Sequence, residues 1–506
     1  MKRRTFIRSA LATAATLSLP GGQLLADAHN NSEGKAADAS ASINAVTGDG
    51  GTTVIEGAVL KELEDRLYGH LLLPSSAGYD DARKVWNGMI DKRPALIVQC
   101  AGASDVASAV DLAREYQLLT AVRGGGHSAA GKSVCEGGIV IDCSRMLGVH
   151  VDPFSRTARV EPGVLLGELD HEAQRYGMAT PSGVVSHTGA AGLTLGGGFG
   201  KLSRTMGLTI DSVLSFDLVT PSGEFKRVSA EENPDLFWGL RGGGGNFGVV
   251  TSFEYRLHEI GTDFLAGSVM HPLTNARDVL EFYAELIETA PNELQVSATS
   301  VVFPNSNNGF SSLSFFYAGD PADGEKAIQP ILDFGEPMNA SVGVKKYIDI
   351  QKQIDRNVPP GQQYYQKSAF VDALEPGMID AIIDMIGNPK PFNRTVNFTQ
   401  VGGAISDTPV EATAYPNRAA KAQIVMGSSW PKPVDEGVEW IAMQRQAWDK
   451  IYPYTNGFYI NNMTGDEGQK NIRSNFGVNY DRLLALKNEY DPTNLFRLNA
   501  NVPPTI

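Results

Sequence analysis

Three clusters of glycine constrain the fold of this chain more than any other feature of its sequence. They occupy residues 124–126, 196–200 and 242–248, and His127 directly follows the first cluster. Glycine adopts positive φ without a steric penalty and lets the backbone approach a ligand closely. A chain with three such clusters is therefore expected to bring several loops against one bound group.

The two common nucleotide-binding loops do not fit these clusters. The third cluster matches a Rossmann fingerprint by letter, but such a loop follows a strand and opens a helix, whereas residues 249–255 predict a strand. The first cluster precedes no helical pattern, and Gly131-Lys132-Ser133 lacks the upstream spacing of a P-loop. The remaining interpretation is a phosphate cradle of successive backbone N–H groups. His127 would then lie beside a cofactor; a hydrogen-bonded turn histidine is the alternative.

The composition argues against several classes of function. The chain has 57 acidic against 43 basic residues and a formal net charge of -14, which argues against nucleic acid or an anionic membrane as the main partner. Three cysteines are too few for a disulfide scaffold and lack zinc-site spacing, so no metal site is expected, although one pair could form a disulfide. With 506 residues, 42% of them apolar, the chain predicts two or three domains and a sizeable core.

The first 28 residues have the pattern of an export signal. Arg3 and Arg4 precede Phe6, a short apolar stretch follows, and Ala26-Asp27-Ala28 offers a small-x-small cleavage site. The arginine pair is typical of a twin-arginine signal, and an ordinary secretory signal is the alternative. Residues 29–55 predict a flexible linker, and no segment is long and apolar enough to span a bilayer. We therefore expect a periplasmic or extracellular protein.

The remaining sequence predicts an α+β architecture. Strand and helix patterns alternate over residues 56–260. From residue 261, alternating runs such as 295–303 and 311–317 predict strands, and residues 275–289 predict a helix. This pattern indicates an antiparallel sheet with helices on one face. The tail from about residue 451 returns to loop-rich sequence.

Six short motifs follow one another in a fixed order along the chain. They are Arg123-Gly-Gly-Gly-His-Ser128, Leu195-Gly-Gly-Gly-Phe-Gly200, Asp211-Ser212-Val213, Arg241-Gly-Gly-Gly-Gly-Asn-Phe-Gly-Val-Val250, Tyr459-x-Asn461 and Asn479-Tyr480-x-Arg482-Leu483. Each motif is weak alone, but together they resemble the berberine-bridge-like FAD-linked oxidases, in the vanillyl-alcohol-oxidase and p-cresol-methylhydroxylase (PCMH) fold group. The resemblance implies a two-part PCMH-type FAD-binding domain over residues 56–260 and a substrate domain over 261–450. It also implies a C-terminal segment over 451–506 that returns to the FAD-binding domain.

The resemblance further implies a single covalent bond between FAD and His127. In the family, the histidine of this loop bonds to the flavin 8α-methyl carbon, and many members add a second bond from a cysteine. The corresponding position here is Val185, and His187 nearby is interpreted as an ordinary loop residue. The other residues expected to bind the cofactor are Arg123, Gly124, Gly125, Gly126, Ser128, Gly189, Gly192, Gly197, Gly200, Asp211, Gly248, Val250, Tyr459 and Asn461.

The implied activity is hydride transfer from a small organic substrate, which is an alcohol, a sugar, an amine or a compound with an activated carbon, to FAD. We expect an oxidase that passes the electrons to O2 and forms H2O2. A dehydrogenase with another electron acceptor and a flavin-free binding protein of the same fold are the alternatives. Positions that support proton removal in plant relatives fall at Val425 and Asn462. Tyr459 and Tyr365 remain as candidate catalytic residues, with simple packing as the alternative.

Overall fold

The chain forms a β-hairpin where its composition predicted a flexible linker. The computed structural model describes residues 41–388, 390–431, 436–464 and 468–505; the predicted export signal lies outside them. Strands β1 (Ile43–Val46) and β2 (Thr52–Ile55) pair in antiparallel register. Ile55 is fully buried, and the carbonyl of Val46 accepts the N–H of Leu119. The linker prediction is therefore wrong for this part of residues 29–55, because single apolar residues between polar ones are hidden in an average composition.

The first sheet places the loop of His127 at the end of a parallel strand. Its elements are α1 (Gly57–Arg66), β3 (His70–Leu72), α2 (Tyr79–Ala82), β4 (Leu96–Gln99), α3 (Ala103–Glu115), β5 (Thr120–Arg123) and β6 (Ile139–Asp142). The strand order is β3-β4-β6-β5, and β6 pairs in parallel with both β4 and β5. The first glycine cluster leaves the carboxyl end of β5, which is the end where open α/β sheets bind ligands.

The second sheet carries the other two glycine clusters on its connections. Its elements are β7 (Val149–Asp152), β8 (Thr157–Val160), α4 (Leu166–Gln174), β9 (Met178–Ala179), α5 (Ala190–Leu195), α6 (Ser203–Met206), β10 (Val213–Val219), β11 (Phe225–Ser229), α7 (Pro234–Leu240), β12 (Val249–Arg256) and β13 (His258–Glu259). The antiparallel order is β11-β10-β12-β8-β7, with β9 and β13 as a separate pair. The third cluster is followed by β12, a strand, as its sequence predicts.

The third sheet is antiparallel throughout, as the alternation from residue 261 predicts. Its elements are β14 (Asp263–Pro272), α8 (Ala276–Thr289), β15 (Leu294–Val302), β16 (Gly309–Tyr317), α9 (Pro321–Asp333), β17 (Asn339–Lys346), α10 (Tyr347–Gln351), β18 (Gln363–Val371), α11 (Pro376–Gly387), β19 (Asn393–Gln400), α12 (Ala404–Asp407), β20 (Ala422–Trp430) and α13 (Gly437–Ile451). The strand order is β17-β14-β16-β15-β19-β20-β18.

The two faces of the third sheet differ in chemistry. Successive side chains of a strand point to opposite faces. One face is apolar and packs under α8, α11 and α13, with Val296, Phe398 and Ile424 buried there. The opposite face is partly exposed and carries uncharged polar side chains, which the strand registers align into one surface. We call this surface the polar face, and it consists of Ser297, Thr299, Gln366, Thr395, Asn397 and Thr399, beside Val425 and Gly427.

The C-terminal tail packs into the core of the second sheet. It contains α14 (Gly468–Phe476) and α15 (Tyr480–Tyr490), and is therefore more helical than its loop-rich composition predicts. Phe476 and Leu483 lie in one hydrophobic cluster with Phe216 and Phe253 of the second sheet. The described residues form one compact unit, within which the predicted boundaries at residues 260 and 450 remain predictions.

These observations confirm the mixed helix-and-sheet architecture expected from the sequence. Cys100, Cys135 and Cys143 are all buried, free thiols, so the disulfide left open by the sequence is absent. In the part of the chain that the structure describes, no helix has the length and apolar composition to cross a membrane.

Candidate functional site

The loop of His127 touches a second glycine loop through backbone alone. A Cβ atom added to Gly125 would lie 2.5 Å from the Cα of Gly189, and one added to Gly189 would lie 2.6 Å from the backbone nitrogen of Gly125. Gly126 also has a φ of 68°, which favours glycine. This contact fixes His127 beside the start of α5.

The His127 ring is held in a neutral form between two aromatic neighbours. The indole of Trp86 stacks on it with centroids 4.5 Å apart, and the ring of His187 lies 5.1 Å away. Burial, together with the nearby His187, lowers the pKa of His127 to about 4. Its Nε2 is enclosed and has no hydrogen-bond partner among the described residues. A neutral imidazole is the form that can act as a nucleophile.

His187 lies in the site, beside His127. Its interpretation as an ordinary loop residue, made from the sequence, is corrected by the structure. Its Nε2 is also enclosed without a partner among the described residues. The preceding residue, Ser186, is held by Asp355, whose carboxylate accepts the Ser186 N–H at 2.9 Å and the Ser186 hydroxyl at 2.5 Å. The site therefore contains two close histidines, of which the motif order identified only one.

Trp86, Asn87 and Tyr364 connect the His127 loop to the third sheet. Tyr364, on β18, stacks on Trp86 with centroids 4.0 Å apart, so the three rings of His127, Trp86 and Tyr364 form a column. The amide nitrogen of Asn87 donates to the carbonyls of Ala129 and Tyr364 at 2.9 and 3.0 Å, and its oxygen accepts the Tyr364 N–H at 3.1 Å. Sequence reasoning missed all three because no motif marks a contact across more than 270 residues of chain.

The second glycine cluster is held by the Tyr459-x-Asn461 motif. The Tyr459 hydroxyl accepts the Gly198 N–H at 3.0 Å and the Asn461 amide at 2.7 Å, and that amide also donates to the Leu193 carbonyl at 2.8 Å. A Cβ added to Gly196 would lie 2.0 Å from Asn461 Oδ1. The structure thus brings together two motifs that lie about 260 residues apart in the chain.

The third glycine cluster is tied to the C-terminal tail by a buried ion pair. Lys487 Nζ lies 2.7 Å from Asp491 Oδ2 and donates to the carbonyls of Asn246 and Phe496, each at 3.0 Å. The Asn246 amide in turn donates to the carbonyls of Gly243 and Ala500. The conformation of this cluster therefore depends on the tail.

The remaining predicted cofactor residues fall into three groups. Gly192 is exposed with open space where a Cβ would lie, and Arg123 Nε is enclosed without a hydrogen-bond partner among the described residues. Ser128, Gly197, Gly200 and Gly248 support the loops: the Ser128 hydroxyl accepts the Lys132 N–H, and a Cβ on any of the three glycines would lie within 2.7 Å of a neighbouring atom.

The side chains of Asp211 and Val250 contact other residues of the protein and are not available to a cofactor. The Asp211 carboxylate accepts two hydrogen bonds from Arg418, at 2.7 and 3.0 Å, and one from the Leu208 N–H at 2.9 Å. The Val250 side chain is buried in the hydrophobic core. Any contact of Val250 with a cofactor would have to use its backbone.

Tyr365 does not face the site, which corrects its selection as a candidate catalytic residue. It alternates with Tyr364 along β18 and lies on the helix-covered face, where its hydroxyl accepts a hydrogen bond from Arg445 Nε at 3.2 Å. Tyr459 does face the site, but burial raises its pKa to about 12. A neutral phenol that already accepts two hydrogen bonds is poorly suited to be a general base.

The site fits an FAD group. Gly192, in the first turn of α5, is exposed, and His127 Nε2 and Arg123 Nε are enclosed without hydrogen-bond partners among the described residues, although Arg123 Nε lies 3.8 Å from Asp142 Oδ1. A phosphate cradle needs such backbone N–H groups and a nearby cation. The polar face of the third sheet lies next to these loops. Phe370 of β18 makes the connection, because its ring contacts the rings of Phe199 and Tyr459.

Comparison with known proteins also indicates an FAD-binding protein. Residues 94–229 match the family model described as "FAD binding domain", and residues 458–503 match the model "Berberine and berberine like". The chain is 34% identical to an FAD-linked oxidoreductase of Dictyostelium discoideum over 88% of its own length and 97% of that protein. It is 30% identical to (R)-6-hydroxynicotine oxidase of Paenarthrobacter nicotinovorans over 87% of its length and 97% of that enzyme.

A solved structure extends the similarity to the whole fold. The xylooligosaccharide oxidase of Myceliophthora thermophila, in complex with xylobiose, superimposes with a TM-score of 0.78 and 25% identity, covering 89% of this chain and 100% of that one. This similarity confirms the PCMH-type fold expected from the motifs.

Proposed function

The chain belongs to the berberine-bridge-like FAD-linked oxidoreductases, and from this premise we propose that it is an exported oxidase of a neutral, hydroxyl-bearing substrate. FAD, when bound, supplies the acceptor for a hydride taken from a substrate carbon. We further propose that FAD is attached through His127 alone and that O2 is the final electron acceptor. The observation that carries the proposal is the neutral, partly enclosed His127 ring in its glycine loop, next to the polar face.

The polar face supports an alcohol or sugar as the substrate. Its side chains are hydroxyls and amides, and Asn397 links Thr299 and Thr399 at 2.7 and 2.9 Å in one hydrogen-bonded row. Such groups donate and accept hydrogen bonds but do not neutralise a charge. A cationic amine would instead favour a carboxylate or an open aromatic face. A similar enzyme was solved with xylobiose, which is a neutral polyol.

The protein residues would bind and orient the substrate and take up the proton that it releases. The polar face would hold hydroxyl groups, and the Trp86–Tyr364 stack would close the site on the side of His127. Burial raises the pKa of the Tyr364 hydroxyl to about 12, and it donates to the Pro359 carbonyl at 2.6 Å. His187 is the described side chain near His127 with an enclosed, unpartnered nitrogen, so we propose it as the group that receives a proton from the substrate.

The attachment is tested by acid precipitation of the purified protein. We expect the precipitate to stay yellow and a single flavin-bearing peptide to contain His127. His127→Ala should yield a colourless precipitate, whereas His150→Ala, which changes a histidine on β7, should not. A colourless wild-type precipitate, or flavin mapped to another residue, would contradict the proposal.

The reaction is tested by anaerobic reduction of the bound flavin. A panel of sugars, simple alcohols and amines is added without oxygen, and the loss of flavin absorbance is recorded before air is admitted. We expect a neutral polyol to bleach the flavin, and air to restore its colour with release of H2O2. Reoxidation that is slow in air but fast with a quinone or dye would support the dehydrogenase alternative. Bleaching by amines alone would overturn the proposed substrate class.

Export is tested with the arginine pair of the predicted signal. Arg3→Lys combined with Arg4→Lys should retain the protein in the cytoplasm with its flavin attached, because twin-arginine transport moves folded proteins. Undiminished export of the double variant would support an ordinary secretory signal instead.

A further inference from the structure

A cavity on the helix-covered side of the third sheet, away from the flavin site, contains a buried guanidinium group that has no counterion among the described residues. The cavity has a volume of about 180 Å³ and lies between α11, α13 and the start of β19. Arg394 lines it and is only 3% exposed. Its Nη1 donates to the Met385 carbonyl at 2.6 Å, but Nε and Nη2 are enclosed with no hydrogen-bond partner among the described residues.

Such an arrangement is costly unless a ligand completes it. Buried charges in proteins are normally paired, because an unpaired one is strongly destabilising. Nε and Nη2 form the parallel donor pair along one edge of a guanidinium, which matches the two oxygens of a planar carboxylate. The unused part of Arg394 is therefore the part that recognises carboxylates.

A third donor lines the same cavity. Arg394 on β19 is the direct cross-strand neighbour of Ser428 on β20. The Ser428 hydroxyl donates to Gln444 Oε1 at 2.7 Å, which fixes Gln444 above the same pair of strands. Gln444 also lines the cavity and is 2% exposed, and its Nε2 has no partner among the described residues.

The other residues that line the cavity favour an organic acid over an inorganic anion as its ligand. Lys390 at the rim adds positive charge, whereas Lys450 is already paired with Asp384 at 2.6 Å. The walls also include apolar side chains, which favour a carbon skeleton over phosphate or sulfate. The volume equals about six water molecules at about 30 Å³ each, so the ligand must be small. The apolar wall consists of Ala381, Met385, Phe392, Met443 and Ala447.

We propose that this cavity is a binding site for a small organic carboxylate, held by Arg394 and Gln444 and distinct from the flavin site. The carboxylate oxygens accept from Nε and Nη2 of Arg394, and one of them also accepts from the Gln444 amide. The apolar part of the ligand lies against the two methionines and Phe392.

The test uses the flavin-loaded enzyme and isothermal titration with acetate, butyrate, benzoate and inorganic phosphate at constant ionic strength. We expect saturable binding of butyrate or benzoate, weaker binding of acetate because it has less apolar surface, and the weakest binding of phosphate. Arg394→Lys keeps the charge but removes the paired donors, and should weaken carboxylate binding at least tenfold. Arg66→Lys, at an exposed arginine of α1, is the matched control and should bind as the wild type does.

A second variant decides the matter if Arg394→Lys does not fold. Gln444→Glu keeps the oxygen that accepts from Ser428 but places a negative charge in the cavity, so it should abolish carboxylate binding and raise the melting temperature by satisfying Arg394. Circular dichroism and flavin content establish folding for each variant. The proposal is overturned if no carboxylate binds the wild type, if phosphate binds more tightly than every carboxylate, or if Gln444→Glu binds carboxylates as the wild type does.

Discussion

At the scale of single residues, the main role of the Tyr459 hydroxyl is structural, because it accepts hydrogen bonds from Gly198 and Asn461. Tyr459→Phe would leave the buried Gly198 N–H and one Asn461 donor without their acceptor, and we expect the free energy of unfolding to fall by about 1–3 kcal/mol. The pH profile of flavin reduction should keep its shape, because a phenol with a pKa of about 12 is not ionised near neutral pH.

Chemical unfolding and stopped-flow reduction of the same variant separate the two roles of Tyr459. Tyr452→Phe, at an exposed position, is the control and should change neither quantity. A reductive rate that falls by about 100-fold or more, with unchanged stability, would restore Tyr459 as a catalytic residue.

Asp170 gives the protein a predictable pH dependence of stability. Burial raises the pKa of its carboxyl to about 7 in the folded state, although Gln351 donates to it at 3.3 Å. Between pH 4 and 7 the unfolded chain loses this proton while the folded chain keeps it, so the unfolded state binds fewer protons and stability falls as the pH rises. The contribution is fully present below the unfolded pKa and is lost by the time the pH passes about 7.

Asp170→Asn removes this titration and should flatten the dependence. We expect the stability of the wild type relative to the variant to fall by about 2–3 kcal/mol from pH 5 to pH 8, since one pKa unit corresponds to about 1.4 kcal/mol. Urea unfolding at both pH values measures it, with Asp323→Asn on the surface as the control. An unchanged difference between wild type and variant at the two pH values would show that Asp170 does not titrate in this range.

The limits of sequence reasoning are also clearest at single residues. The glycine clusters predicted where backbone approaches backbone, because only glycine fits such contacts, and Gly125 against Gly189 is an example. Tyr365 was selected instead of Tyr364 because both are aromatic residues of one strand, and the sequence does not tell which face the helices cover. Trp86 was missed because its role depends on stacking with residues that are distant in sequence.

At the scale of elements, strands were predicted best where one face of a sheet is apolar and the other polar. In β15, predicted at residues 295–303, Val296 and Ala298 alternate with Ser297 and Thr299, and this period of two is visible in the sequence. The β1–β2 hairpin was missed because its few buried residues stand in a polar stretch. The helices of the tail were missed because their packing against the second sheet, rather than their composition, stabilises them.

Among the contacts between elements, we expect the buried ion pair of Lys487 and Asp491, which ties the tail to the third glycine cluster, to contribute most to stability. Both side chains are fully buried, and Lys487 also donates to the carbonyl of Asn246 in the third glycine cluster. Lys487→Met leaves Asp491 buried without its cation, so we expect the free energy of unfolding to fall by about 3–5 kcal/mol.

An exposed ion pair gives the matched comparison for Lys487. Lys421 on the surface is paired with Glu288 at 2.9 Å, and Lys421→Met should cost less than about 1 kcal/mol. Guanidinium unfolding followed by tryptophan fluorescence measures both variants. Equal, small losses for the two would show that the tail is held by its apolar contacts alone.

At the scale of the whole molecule, the proposed flavin site joins all three sheets and the tail, so cofactor binding and global stability should be coupled. The His127 loop leaves the first sheet, Gly198 belongs to the second, Tyr364 belongs to the third, and Tyr459 comes from the tail. A ligand that binds only the folded state stabilises it by an amount that grows with its free concentration, about 2.7 kcal/mol at 100 times the dissociation constant.

Covalent attachment removes that dependence on concentration, and this difference is measurable. We expect the melting temperature of the wild type to be unaffected by added FAD, because its cofactor cannot dissociate before the chain unfolds. His127→Ala should melt at a lower temperature without added FAD and regain much of the loss as FAD is added. His187→Ala keeps the attachment residue and should behave like the wild type in this assay, even if its reductive rate is low. A wild-type melting temperature that rises with added FAD would mean that the flavin is bound reversibly, and would place His127 among the residues that only contact it.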